Sequence, residues 1–76
     1  MDFTDYRIYG LRDGRAVACG WKMAGRGADR RNASMVAEWV RKGLDIVTLH
    51  KDEPEAKRLF EQMYDDAAAL AWAAAS

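Results

Sequence analysis

The stretch YRIYGLRDGRAVACGWKM, residues 6–23, decides the fold. Asp13-Gly14 at its centre is a two-residue turn signal, because a type I′ turn needs φ > 0 at both central positions. Residues 6–11 and 15–23 are rich in Ile, Tyr, Val and Trp and read as the two strands of a hairpin. A two-residue loop sets Arg12 opposite Arg15, Leu11 opposite Ala16, Tyr9 opposite Ala18 and Ile8 opposite Cys19. Strand side chains alternate between faces. One face then carries Tyr6, Ile8, Val17, Cys19, Trp21 and Met23, the expected core face. The other carries Arg7, Tyr9, Leu11, Ala16, Ala18, Gly20 and Lys22, and is expected to stay open.

Outward from the hairpin, residues 24–31 read as a loop studded by Arg26, Arg30 and Arg31. Asn32 or Ser34 is the expected cap of a helix running to about Lys42, with Met35, Val36, Trp39 and Val40 on its apolar stripe. Gly43 is its left-handed stop, and Leu44 makes the apolar contact that follows such a stop. Residues 45–50 read as a short strand. Asp52 caps the last helix, Glu55 stands at capping-box spacing, and Pro54 is tolerated in the first turn. Its stripe is Ala56, Leu59, Phe60, Met63, Ala67 and Leu70. The order is ββαβα, an α+β domain with a three-stranded sheet, first strand central, and two helices. Residues 1–76 form a single domain. A helix from Pro54 to Ala74 is longer than so small a sheet, so residues 70–76 are expected to overhang or fray.

Composition narrows the chemistry. Half of the 76 residues are hydrophobic, enough for one core,. Cys19 is the only cysteine and His50 the only histidine, too few for a zinc site or a disulfide framework,. A lone thiol fits a reducing, cytoplasmic setting. Residues 1–12 carry four charges and no apolar stretch, so no signal peptide is expected,, and no run approaches the roughly 20 apolar residues of a membrane span,. The formal net charge is zero, but residues 1–42 hold nine Lys/Arg against five Asp/Glu, whereas residues 43–76 hold three against seven. Such asymmetry marks interaction surfaces.

Ile8-Tyr9 in the first strand, Ala18-Cys19-Gly20 ending the second, Arg26 shortly after and Glu61 on the last helix carry a resemblance. Together they resemble the GIY-YIG nuclease core over about residues 6–64. The resemblance implies a cluster of Tyr9, Arg26 and Glu61 in which the tyrosine positions water, the arginine stabilises the phosphate and the glutamate holds one divalent metal. Two positions depart from the pattern: Arg7 stands in place of the first glycine and Ala18 in place of the second tyrosine.

Two charged sets are candidate binding surfaces. Arg7, Lys22, Arg26, Arg30 and Arg31 have the chemistry to grip phosphates, since basic side chains release counterions on binding. Asp52, Glu53, Glu55, Glu61, Asp65 and Asp66 have the chemistry to face a basic partner, although acids in a first turn also serve the helix dipole. Tyr9 offers a ring for stacking. Trp72, beyond the core stripe, either folds back on the core or anchors a partner. The expectation is a small non-enzymatic binding protein without cofactor or metal, with a protein or nucleoprotein complex as partner and nucleic acid possible. It is expected to be a monomer or weak homodimer. In size and style the chain is similar to small phage-encoded anti-CRISPR inhibitors, which implies occlusion of a nucleic-acid-handling complex. A reduced GIY-YIG-like DNA-binding domain or Mg²⁺-dependent nuclease, and an oligomerisation module built on Leu70 and Trp72, are the alternatives.

Overall fold

The hairpin closes as its turn requires: Asp13 and Gly14 take φ of 54° and 79° in the computed structural model, which describes residues 2–75. Met1 and Ser76, the ends of the expected 1–76 domain, lie outside the described residues. The turn joins β1 (Asp2–Arg12) to β2 (Arg15–Ala24), followed by α1 (Ala28–Arg41), β3 (Asp45–His50) and α2 (Pro54–Ala75). β1 lies between β2 and β3 and pairs antiparallel with both. The ββαβα, α+β architecture with a central first strand is therefore the one the sequence predicts.

The register departs from the expected one after two pairs. Arg12 and Leu11 oppose Arg15 and Ala16, but Gly10 then opposes Ala18, leaving Val17 as an extra residue in β2. Beyond this bulge Tyr9 faces Cys19 and Ile8 faces Gly20. One inserted residue exchanges the faces of everything that follows it. A second irregularity lies between Phe3 and Arg7. There the Thr4 hydroxyl donates to the Lys22 carbonyl at 2.7 Å and accepts the Tyr6 N–H at 3.1 Å, pinning the extra residues of β1.

The consequence is a sheet covered on both sides. Ile8, Tyr9 and Gly10 are buried in succession, the mark of a central strand with a layer on each face,. Tyr9, Leu11, Cys19, Val47 and Leu49 pack under Ala56, Leu59 and Met63 of α2. Ile8, Ala18 and Ile46 pack under Met35, Val36, Trp39 and Leu44 on the α1 side. The expected open face around Tyr9 does not exist: α2 covers it, and Tyr9 has 0% exposure. Nor is the expected core face one surface, since Cys19 and Ile8 serve opposite layers, while Tyr6, Val17 and Trp21 are exposed. α1 approaches closely because Gly10 and Gly20 lack side chains. A Cβ at Gly20 would stand 2.5 Å from Met35 Sδ, and one at Gly10 2.8 Å from Leu44 Cδ1.

α1 begins earlier than expected. Gly27, in the left-handed region, occupies the cap position with no side-chain cap bond, so Asn32 sits one turn inside the helix and Ser34 is not the cap either. Asn32 has another task. Its Oδ1 accepts the Met23 N–H and its Nδ2 donates to the Met23 carbonyl, both at 2.9 Å. Gln62 of α2 does the same at the other end of β2, accepting the Ala16 N–H at 2.7 Å and donating to the Ala16 carbonyl at 3.0 Å. An edge strand offers unpaired donors and acceptors. These two amides satisfy them at both ends of β2 and bolt a helix to each.

α2 also starts one residue off the expected cap. Glu53, not Asp52, supplies the carbonyl that accepts the Lys57 N–H, and the Glu53 carboxylate reaches back to the His50 N–H at 2.9 Å. α2 remains helical to Ala75, and every residue from 67 to 75 is exposed. No helix among the described residues is long and apolar enough to cross a membrane.

Candidate functional site

β1 begins where β2 and β3 end, so one end of the sheet gathers the β2–α1 turn, the first turn of α1 and the entry to α2. Lys22 lies near the end of β2, Arg26 occupies the turn, and Arg30 and Arg31 follow on α1. The turn is held by the Ala28 N–H donating to the Gly25 carbonyl at 3.1 Å and by the Asn32 clamp. All four cations are exposed, and none of their side chains makes an ion pair or hydrogen bond among the described residues. Arg31 also borders a shallow groove of about 240 Å³ with Asp2, Phe3 and Met23. Asp29 in the first turn of α1 and Asp2 offset part of this charge. The uncapped N-terminus of α1 adds to it.

Arg7, expected in the same basic set, lies elsewhere. It is half-buried on the α2 side, its guanidinium 4.5 Å from the Trp21 ring centroid and 5.0 Å from that of Phe60. Cation–π contact of this kind holds the arginine as a structural strut between sheet and helix.

The acidic set is mostly occupied within the molecule. Asp66 receives two hydrogen bonds from Arg15, at 2.8 and 3.0 Å, and one from Gln62 at 2.6 Å. The Arg15 and Gln62 bonds hold its carboxyl below the usual range. Glu55 pairs with Arg58, which lowers its pKa in the same way. Asp52 lies 3.8 Å from His50 Nδ1, and Glu53 binds the His50 N–H. Glu61 and Asp65 alone in the set have no such partner among the described residues. Trp72 is 79% exposed on the projecting end of α2.

No protein-family model matches the chain, and no curated protein or solved structure matches it. The site is therefore read from its own geometry.

That geometry does not assemble the nuclease set. The Tyr9 hydroxyl is sealed beneath α2, donating to the Ala56 carbonyl at 3.1 Å. Burial raises its pKa. Arg26 precedes α1, the helix on the other side of the sheet, and Glu61 is exposed on α2. Among the described residues no three His, Cys, Asp or Glu side chains converge to hold a metal ion. Tyr9 likewise presents no ring to a partner. Cys19 packs beside Tyr9, where burial raises its thiol pKa and so disfavours the nucleophilic thiolate,.

Sequence reasoning missed two structural devices. The Asn32 and Gln62 clamps carry no local signature: Asn32 bonds back across the β2–α1 turn to Met23, and Gln62 reaches Ala16, forty-six residues away in the chain. The Arg7 stack depended on a face assignment that the Val17 bulge reversed.

Proposed function

We propose that this chain is a non-enzymatic binding protein whose basic end, Lys22, Arg26, Arg30 and Arg31, engages the phosphates of a nucleic acid or nucleoprotein complex. One observation carries the reading: these four exposed cations have no side-chain partner among the described residues, whereas most of the acidic set is already engaged. Free cations on one rigid end neutralise phosphates without sequence preference. A body of 76 residues held there occludes whatever must next reach the same nucleic acid. The resulting activity is inhibition of a nucleic-acid-handling complex by steric and electrostatic occlusion, of the anti-CRISPR type.

The test is a titration of a labelled duplex and a labelled single strand across salt. Contacts by four cations predict a log K against log salt slope of about −3.6 on duplex. The triple variant Arg26→Glu/Arg30→Glu/Arg31→Glu removes the binding. Affinity that ignores both salt and this variant refutes the reading. Mg²⁺-dependent nicking of supercoiled plasmid, abolished by Glu61→Ala, replaces it with a nuclease.

A further inference from the structure

Large aromatic rings are normally drawn into a small core, and those along the sheet are mostly taken up within the molecule. Tyr9 is sealed beneath α2, Tyr6 meets His50 edge-on at 5.3 Å, and Trp21 and Phe60 flank Arg7. Phe3 differs. It is 67% exposed and makes no ring contact or cation–π contact among the described residues. Its place in β1 sets it opposite Met23. The two border the groove of about 240 Å³ together with Asp2 and Arg31.

The walls of this groove are held in place. Asn32 bonds both backbone groups of Met23, and the Thr4 hydroxyl pins the irregular stretch of β1 that follows Phe3. Arg31 precedes Asn32 on α1, so the same clamp fixes where Arg31 leaves the helix. A site already ordered loses little freedom on binding. Phe3 and Met23 supply an aromatic face and a polarisable thioether. Arg31, with Lys22, Arg26 and Arg30 nearby in the chain, supplies positive charge. The Asp2 carboxylate repels phosphate but accepts N–H donors of the kind found on base edges. The occupant that suits these groups is flat, apolar on its faces, polar at its edge and anionic on one side, which describes a nucleotide. The groove is smaller than the roughly 300–1,000 Å³ of drug-sized sites and suits a single ring system. Four cations exceed the one phosphate of a simple mononucleotide, so the occupant is a strand. In a duplex each base is stacked and turned inward, whereas the bases of a single strand swing out onto aromatic side chains.

We infer that the basic end takes single-stranded nucleic acid, with one unpaired base stacked on Phe3 beside Met23 and the adjoining phosphates held by Arg31, Arg30, Arg26 and Lys22. Asp2 faces the edge of that base. This rests on the phosphate-binding reading of the same surface and adds the form of the nucleic acid and the ring that recognises it.

Fluorescence anisotropy with short labelled oligonucleotides tests it. A single strand is expected to bind about tenfold or more tightly than a duplex of equal length. Four cations at about −0.7 each give a log K against log salt slope of about −2.8 on the single strand. Phe3→Ala lowers that affinity about tenfold and leaves the slope unchanged, because it removes stacking and no charge. Phe3→Trp keeps the affinity within about threefold or raises it. An abasic strand binds as weakly to the parent as to Phe3→Ala. Circular dichroism checks each fold, and Phe3→Leu, which keeps apolar bulk but loses the stack, keeps the test decisive if Phe3→Ala misfolds. Deoxyribose and ribose versions of the strand share the stacking chemistry, and the tighter of the two identifies the source. Duplex binding as tight as single-strand binding overturns the inference. So does a mononucleotide that competes as well as the strand, or a single strand indifferent to Phe3→Ala and Phe3→Leu yet released by Arg26→Glu/Arg30→Glu/Arg31→Glu; in that last case the phosphate-binding reading stands alone. Absence of salt-dependent binding to every probe removes both.

Discussion

α1 and α2 cover opposite faces of one small sheet, but they spend their charges in opposite ways. α1 packs through Met35 and Trp39 onto Gly20 and Gly10 and leaves Arg30 and Arg31 exposed, without a side-chain partner among the described residues. α2 packs through Ala56 and Leu59 and turns its polar residues to holding the molecule together. Gln62 fastens β2, and Asp66 accepts from Arg15 and Gln62. The difference teaches that a count of charge per segment does not locate a binding surface. A carboxylate engaged with its own sheet is a structural element, and a cation with no internal partner is available to another molecule.

This comparison is broken most severely by detaching α2. Leu59 is 1% exposed, and Leu59→Ala is expected to cost about 2–5 kcal/mol, read as a lower denaturant midpoint at unchanged m-value,. Next comes the basic end. Arg26→Glu/Arg30→Glu/Arg31→Glu is expected to weaken nucleic-acid binding by about 100-fold or more while leaving the melting temperature near that of the parent. A variant that melts early instead means that these arginines support the fold, and the contrast between the helices fails.

Smaller changes sharpen the contrast. Gln62→Ala strips both partners from the outward N–H and C=O of Ala16 and is expected to cost about 1–2 kcal/mol in a chemical melt,. Asn32→Ala should cost a similar amount at Met23,. The acids of α2 contribute a pH dependence. The pKa values of Asp66 and Glu55 are lowered in the fold by Arg15 with Gln62 and by Arg58. Their stabilisation is thus fully present above the unfolded carboxylate range of about 4, and is lost as pH falls through the lower folded values. Asp66→Asn should flatten the acid limb of melting temperature against pH; an unchanged limb places the acid sensitivity elsewhere. The smallest effect belongs to Glu61→Ala/Asp65→Ala, expected to alter nucleic-acid affinity by less than about threefold. A large loss there shifts the binding surface to α2.

Much of this molecule is legible in one dimension because its signals are local. Asp13-Gly14 determines the hairpin, because few other pairs take positive φ at both turn positions, and both do so here. Gly43, with φ of 80°, ends the α1 region where expected. The periodic apolar residues of 35–40 and 56–63 predict two helices, and both exist. The surplus of cations before residue 43 is equally plain in the sequence.

The bulge at Val17, the burial of Tyr9 and the fate of each charge were decided by the tertiary structure. A strand pattern cannot reveal whether one residue is looped out of its ladder, because the cost of the bulge depends on which face each neighbouring layer must fill. Two helices must both find apolar surface on three strands, and one extra residue in β2 brings Cys19 beside Tyr9 under α2 and leaves Gly20 beneath Met35. The same packing carries Arg15 to Asp66, fifty-one residues away in the chain, and leaves Arg26, Arg30 and Arg31 without a side-chain partner among the described residues. The sequence by itself determined which elements form and where charge is abundant. Which charges remain free for a partner is a property of long-range contacts, and these exist only once both helices have docked on the sheet.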